Sequence, residues 1–157
     1  MTGPYPYTSD ISVIAQLLVA KIDAAKATFR VPVVDVFYGD QDRIPATPSV
    51  CVEPGDKTRQ LDGAPSMTQN EFEIYILVYH NKVQENQLTR LECDQIAYDI
   101  EMLVHQDLQL TNGGVTPNVI HGFVRNNESG YTYKRETLYR SARLTWYGKN
   151  KTSLPVA

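Results

Sequence analysis

Between Asn70 and His80 the chain alternates strictly, with Phe72, Ile74, Ile76 and Val78 on one side and Glu73, Tyr75, Leu77 and Tyr79 on the other. A period of two puts successive side chains on opposite faces of a strand. This segment therefore predicts a strand with one aliphatic and one tyrosine-bearing face. Upstream, Ile11, Ile14, Leu18, Ile22, Ala25 and Phe29 recur at spacings of three and four behind the candidate caps Thr8, Ser9 or Asp10. That pattern predicts a helix to about Phe29, packed on something flat and ended by Pro32. Val33 to Tyr38 and Ser49 to Glu53 read as short strands. Gln84 to His105 reads as a second helix with a double pattern. Cys93, Ile96, Ala97, Ile100, Leu103 and Val104 form a core stripe, and Leu88, Leu91, Tyr98 and Met102 form another on roughly the opposite side. A helix apolar on two faces is either sandwiched in its own fold or covered by another chain. After the loop "TNGGVTPN", Val119 to Arg125 and Thr137 to Tyr147 read as long strands. The segment "NNESGYTYKRE" joins them as an antiparallel hairpin with an extended tip.

The resulting order is α, β, β, long loop, β, α, β, β. It fits an α+β two-layer sandwich: a mainly antiparallel sheet of about four to five strands with two helices packed on one face. One domain is expected over residues 1–157, with a flexible arm at 1–8, a long charged loop at 54–68 and a loose tail at 149–157. Loops as long as Glu53 to Ser66 are uncommon in compact domains unless they are functional or disordered. Its charges, Glu53, Asp56, Lys57, Arg59 and Asp62, are of both signs, which argues against a simple phosphate clamp.

Composition adds little to this picture: 42% apolar and 21% charged residues over 157 positions describe an ordinary soluble domain with a real core. Ile11 to Lys21 is too short to span a bilayer, and "MTGPYPYTSD" lacks the basic and apolar regions of a signal peptide, so assembly in the cytoplasm is expected. Cys51 and Cys93 then read as buried free thiols. Charge distribution changes more. The net −3 hides a segment, Phe123 to Lys151, with seven basic residues (Arg125, Lys134, Arg135, Arg140, Arg143, Lys149, Lys151) against Glu128 and Glu136. Glu85 to Asp107 carries six acids against Arg90 alone. The two ends of the chain are electrostatically complementary.

Candidate chemistry is sparse. There is no CxxC, HxH or HExxH, no phosphate-cradling glycine loop and no GxSxG elbow, and His80, His105 and His121 each stand alone. No catalytic residue, metal or cofactor is expected. The basic C-terminal segment with its interleaved tyrosines has some character of a nucleic-acid surface. Against that, Arg140 and Arg143 fall on opposite faces of a strand, and the pI of about 5.6 is not that of a nucleic-acid binder. Ten of the chain's aromatics are tyrosines, a residue enriched in protein–protein interfaces, which favours an oligomer.

The segments "VCVEPGDKTRQLDGAP", "FEIYILVYHNKVQENQLTRLECDQIAYDIEMLVH" and "VIHGFVRNNESGYTYKRETLYRSARLTWYGKNKT", with phrases such as "ESGY" and "LYR-ARLTW", together resemble the tail terminator (tail-completion) proteins of tailed bacteriophages. The likeness runs from about Val33 to Thr152. It implies a non-enzymatic virion subunit that forms a hexameric ring. The ring would cap the tail tube protein, meet the neck connector protein and, in contractile tails, the tail sheath protein, and let DNA pass its lumen without specific binding. It implies no cofactor, no membrane partner and no catalytic residue. The Glu53–Ser66 loop, through Asp56, Lys57, Arg59 and Asp62, is then expected to reach a neighbouring layer. The stripe Leu88, Leu91, Tyr98 and Met102 and the cations Arg125, Lys134, Arg135, Arg140 and Arg143 are expected to join subunits. Other readings remain open: another neck component, such as the connector or stopper, or a small cytoplasmic α+β enzyme or ligand-binding protein with a pocket near His80 or His121.

Overall fold

The alternating segment is the middle strand of the protein. The structure, a computed structural model, describes residues 9–61, 67–81, 86–110 and 121–153, without the side chains of Asn86, Thr152 and Ser153. Helix α1 spans Asp10–Ala25, β1 Asp35–Tyr38, β2 Ser49–Leu61, β3 Met67–His80, α2 Asn86–His105, β4 His121–Lys134 and β5 Thr137–Ser153. The five strands form one sheet in the order β1-β2-β3-β5-β4. β1 lies parallel to β2, and every other pair is antiparallel.

Phe72, Ile74, Ile76 and Val78 turn to one face, and there they meet Leu18 and Ile22 of α1, Ile96 and Ile100 of α2, and Leu144 and Trp146 of β5, all fully or almost fully buried. Both helices therefore cover the aliphatic face, the α+β sandwich that the patterning predicts. α1 ends at Ala25 in a 3-10 turn, Lys26–Thr28, so Phe29 enters the core from beyond the helix rather than from its last turn. The opposite face has its own small core of Ile44, Cys51, Tyr79 and Tyr139, with Phe37 and Leu77 against it.

Three expectations about loops are corrected. The long charged loop at 54–68 is mostly strand: β2 continues to Leu61 and β3 begins at Met67, paired as Lys57↔Phe72 through Leu61↔Thr68. This ribbon runs past the core and leaves Thr58, Arg59, Gln60 and Leu61 exposed, so no apolar period marks it, and the backbone ladder holds it instead. Its proline is also accommodated. Val52 turns its carbonyl outward to the Gly39 N–H (2.7 Å), and Pro54, two residues on, faces the same bare edge, where no N–H is needed. A bulge between Pro54 and Lys57 shifts the register, and the ladder continues beyond it.

The hairpin tip is likewise strand. β4 and β5 pair from His121↔Lys149 to Lys134↔Thr137, around a two-residue turn in which Arg135 (φ 47°) and Glu136 (φ 68°) are both left-handed. Such turns match the twist of the flanking strands but ordinarily fall to Asn-Gly, so Arg-Glu gives no sequence signal. The tail expected at 149–157 is in β5 as far as Ser153, where Lys149–Ser153 pair with Met67–Glu71. The arm at 1–8, Asp62, the start of the second helix at Gln84, the loop after Leu110 and residues 154–157 lie outside the described residues.

Cys51 lies on the uncovered face, and Cys93 lies under α2 beside the Arg140 carbonyl (3.8 Å). Both are buried and free, with the sheet between them. Burial pushes their thiols up from 9.0, to about 11 for Cys51 and about 12 for Cys93. Above about pH 9 the unfolded chain gives up these protons while the folded chain keeps them, so stability falls as pH rises from there. The urea midpoint is expected to drop between pH 8 and pH 10.5, and to drop less in a Cys51→Ala/Cys93→Ala variant. An equal drop in both would mean that other groups cause it.

Candidate functional site

The second stripe of α2 is real and uncovered. Leu88, Leu91, Tyr98 and Met102 are 48, 65, 54 and 37% exposed, while Cys93, Ile96, Ala97 and Ile100 of the same helix are fully buried. At about 100° per residue the two sets lie on opposite sides of the helix. The outer stripe therefore points straight away from the sheet. Exposed single apolar side chains need no explanation, but a row of four at spacings of three, seven and four residues along one helix face is the pattern of a partner surface. Acidic side chains flank it. Asp94 (bonded to Arg90, 3.0 Å) and Glu101 lie on one flank, and Glu92 and Asp99 (the latter accepting the Arg30 N–H, 3.1 Å) lie on the other. Over Asn86–His105 four acids face one arginine, a net −3.

The basic residues divide. Arg125 is exposed and sits 5.0 Å over the Tyr147 ring, and Arg135 is exposed at the hairpin turn. Arg143 is half exposed, bonded to Glu128 (3.0 Å) and 5.2 Å over Tyr75. Two expected contact residues are corrected. Lys134 is packed over Tyr79 (5.0 Å) and bonded to Asp40 (2.8 Å), largely buried on the uncovered face. Arg140 is 6% exposed and lies on the helix-covered face opposite His80, 4.5 Å from the Tyr131 ring, with Nη2 donating to Ser129 Oγ (3.2 Å). Strand alternation separates Arg140 from Arg143 as expected, but it carries Arg140 inward, toward the buried side of α2 near Cys93. A cation so placed belongs to the fold.

The charged residues once expected on a loop belong to the β2 ribbon. Lys57 bonds Asp10 at the start of α1 and lies 5.7 Å over Phe72. Arg59 donates from Nε to Asn70 Oδ1 (2.9 Å) and stands 3.9 Å from Asp10. Asp56 is exposed at the bulge. These contacts fasten the ribbon to the first helix, so it is a braced arm rather than a free reach.

The sequence gives no signal for Tyr131 and Tyr133, which are 48 and 73% exposed on β4. A register shift between Val124 and Asn126 sets their facing. No periodicity reveals such a shift in advance, because the strand beyond it has no apolar face.

The histidines do structural work. His80 is buried and bonded through Nε2 to Glu92, His105 Nε2 accepts the Val124 N–H (3.0 Å), and His121 stacks on Phe123 (centroids 6.1 Å apart). Among the described residues no three His, Cys, Asp or Glu side chains converge to hold a metal ion. An open hollow of about 300 Å³ lies on the uncovered face against Asp40, Leu77, Tyr79, Glu128, Thr132 and Arg143, away from His80 and His121. Its polar groups bond one another: Asp40 takes Tyr79 Oη (2.7 Å) and Lys134, Glu128 takes Arg143, and Thr132 meets Ser141 (2.9 Å). Comparison with protein-family models and with curated proteins returns no match.

Proposed function

We propose that the protein is a structural assembly subunit, a phage tail terminator whose ring caps the tail tube and joins it to the neck. The observation that carries this reading is the outward stripe of α2. Its helix already closes the core with the other face, so the exposed Leu88, Leu91, Tyr98 and Met102 contribute nothing to the fold of a single chain. The α+β sandwich supports it, and so does the likeness of residues 33–152 to tail terminators. The uncovered sheet face, whose ion pairs and cation–π contacts are internally satisfied, suits passage of DNA without specific binding.

Added to its cognate tail-tube protein during polymerisation, the chain is expected to leave shorter tubes with extra density at one end. Leu91→Asp/Tyr98→Asp, changed at two exposed positions, is expected to fold normally and to lose both effects. Electron microscopy of the tubes reads both. Tubes that elongate to the same length with or without the protein would overturn the reading.

A further inference from the structure

Leu88, Leu91, Gln95, Tyr98 and Met102 follow one another on α2 at spacings of three, four, three and four. That is the a/d period of a coiled coil, kept for two heptads, and it makes a narrower stripe than a helix uses to lie on a sheet. The inner face of α2 shows the contrast: Cys93, Ile96, Ala97, Ile100, Leu103 and Val104 form the broad band that covers this protein's own sheet. Gln95, at the central a position, donates its amide to Asp99 Oδ1 (3.0 Å). One polar residue in the middle of such a seam weakens it somewhat and fixes the register of the helix laid on it.

The positions that flank the seam are Glu92 and Asp99 on one side and Asp94 and Glu101 on the other. Two of these acids are engaged within the chain, Glu92 with buried His80 and Asp94 with Arg90 (3.0 Å). Asp99 takes two neutral donors, the Arg30 N–H (3.1 Å) and the Gln95 amide. Among the described residues no basic side chain meets Asp99 or Glu101. They flank Tyr98 and Met102, one on each side, so this half of the seam is apolar between two uncompensated negative charges.

We propose that this seam takes an amphipathic helix of a different chain. That helix has apolar a and d positions of its own, a polar residue opposite Gln95, and lysine or arginine where it meets Asp99 and Glu101. The proposal rests on the assembly reading above and names the element that a neighbouring component supplies. The period selects a helix, because knobs spaced three and four apart fit the holes of another helix, whereas a strand presents its side chains at every second residue. The charges select which helix. In an antiparallel pair of α2 helices centred on Gln95, Glu92 would face Asp99 and Asp94 would face Glu101, each twice. In a parallel pair Asp94 would face Asp99. Arg90 already serves Asp94 and relieves little of this. Like charges at the flanks of a seam select against the pairing that would bring them together. A second α2 is therefore the wrong occupant. The first helix is no substitute, since its Ile14, Leu18, Val19 and Ile22 are committed to the core.

Two synthetic peptides of three heptads, with leucine at a and d and one central glutamine, test this by calorimetric titration onto the whole chain. One carries lysine at e and g and the other glutamate, and these like charges keep each peptide from pairing with itself. The lysine peptide is expected to bind about tenfold tighter than the glutamate peptide, or more. Leu91→Asp/Tyr98→Asp is expected to weaken the lysine peptide by about tenfold, although it makes the helix more acidic. Glu101→Lys is expected to weaken the lysine peptide and to strengthen the glutamate peptide. Circular dichroism melts verify that each variant folds as the parent does. Equal binding of the two peptides overturns the proposal. So does a lysine peptide that holds Leu91→Asp/Tyr98→Asp as well as the parent, since charge alone would then explain it. A parent chain whose self-association that double variant abolishes also overturns it, by making a second copy the occupant. Tube capping reads the assembly proposal separately. A chain that caps tubes and binds neither peptide overturns the helical partner alone, and a chain that binds the lysine peptide but leaves tubes bare overturns the tail reading alone.

Discussion

Trp146→Ala is expected to cost on the order of 3–5 kcal/mol of stability, among the largest losses available in this chain. The indole is 1% exposed and lies flat over two glycines, Gly122 of β4 and Gly148 of β5, which face each other directly across the two strands. A Cβ built on either glycine would stand closer to the indole ring than real side chains approach one another. The missing side chains are what let the largest residue of the core sit between sheet and helices. Gly122→Ala and Gly148→Ala are accordingly expected to lose about 1–3 kcal/mol or more each by overpacking, although alanine is the smallest possible addition. Urea unfolding of the three variants tests this. Gly148→Ala with an unchanged midpoint would show that the indole is not held as described.

Arg140→Glu is the second large effect, and it separates a fold role from an interface role. The guanidinium is buried on the helix-covered face, and its Nε has no hydrogen-bond partner among the described residues. It shares its surroundings with Cys93, whose thiol also feels Glu92 and Asp94. A carboxylate there would be buried among acids with Ser129 Oγ as its near neighbour, a loss on the order of 3–5 kcal/mol. Arg140→Met keeps the packing of the stem and discards the charge, and is expected to lose far less. Thermal melts of the isolated chain read the difference. If Arg140→Glu melted like the parent while assembly failed, Arg140 would be an interface cation after all and its burial would be misjudged. Arg143→Glu, by contrast, changes a half-exposed side chain bonded to Glu128 and is expected to leave the melt nearly unchanged.

The layered fold was legible because its core elements carry strong periods: two in β3, three and four in α1 and α2. The outer stripe of α2 was legible for the same reason, since a second helical period has no purpose within one layer. What escaped was everything that a backbone ladder, rather than buried side chains, holds in place. The β2 ribbon past Pro54, the β4–β5 tip and the end of β5 are polar on both faces, and they look like loops to any argument from hydrophobic pattern. The residue roles followed suit. Arg140 and Lys134 looked like surface cations because they lie in a basic run. A strand alternates faces regardless of charge, though, and it carries Arg140 under α2 and Lys134 beneath Asp40. Tyr133 was missed because the bulge after Val124 resets which residues face which side.

The central claim is that this chain acts by assembling. Its most direct test is native mass, by light scattering on a sizing column, of the protein alone and with tail-tube protein present. If the chain assembles as proposed, a six-subunit species is expected, free or on tube ends. A monomer under both conditions, leaving the tubes bare, would contradict it.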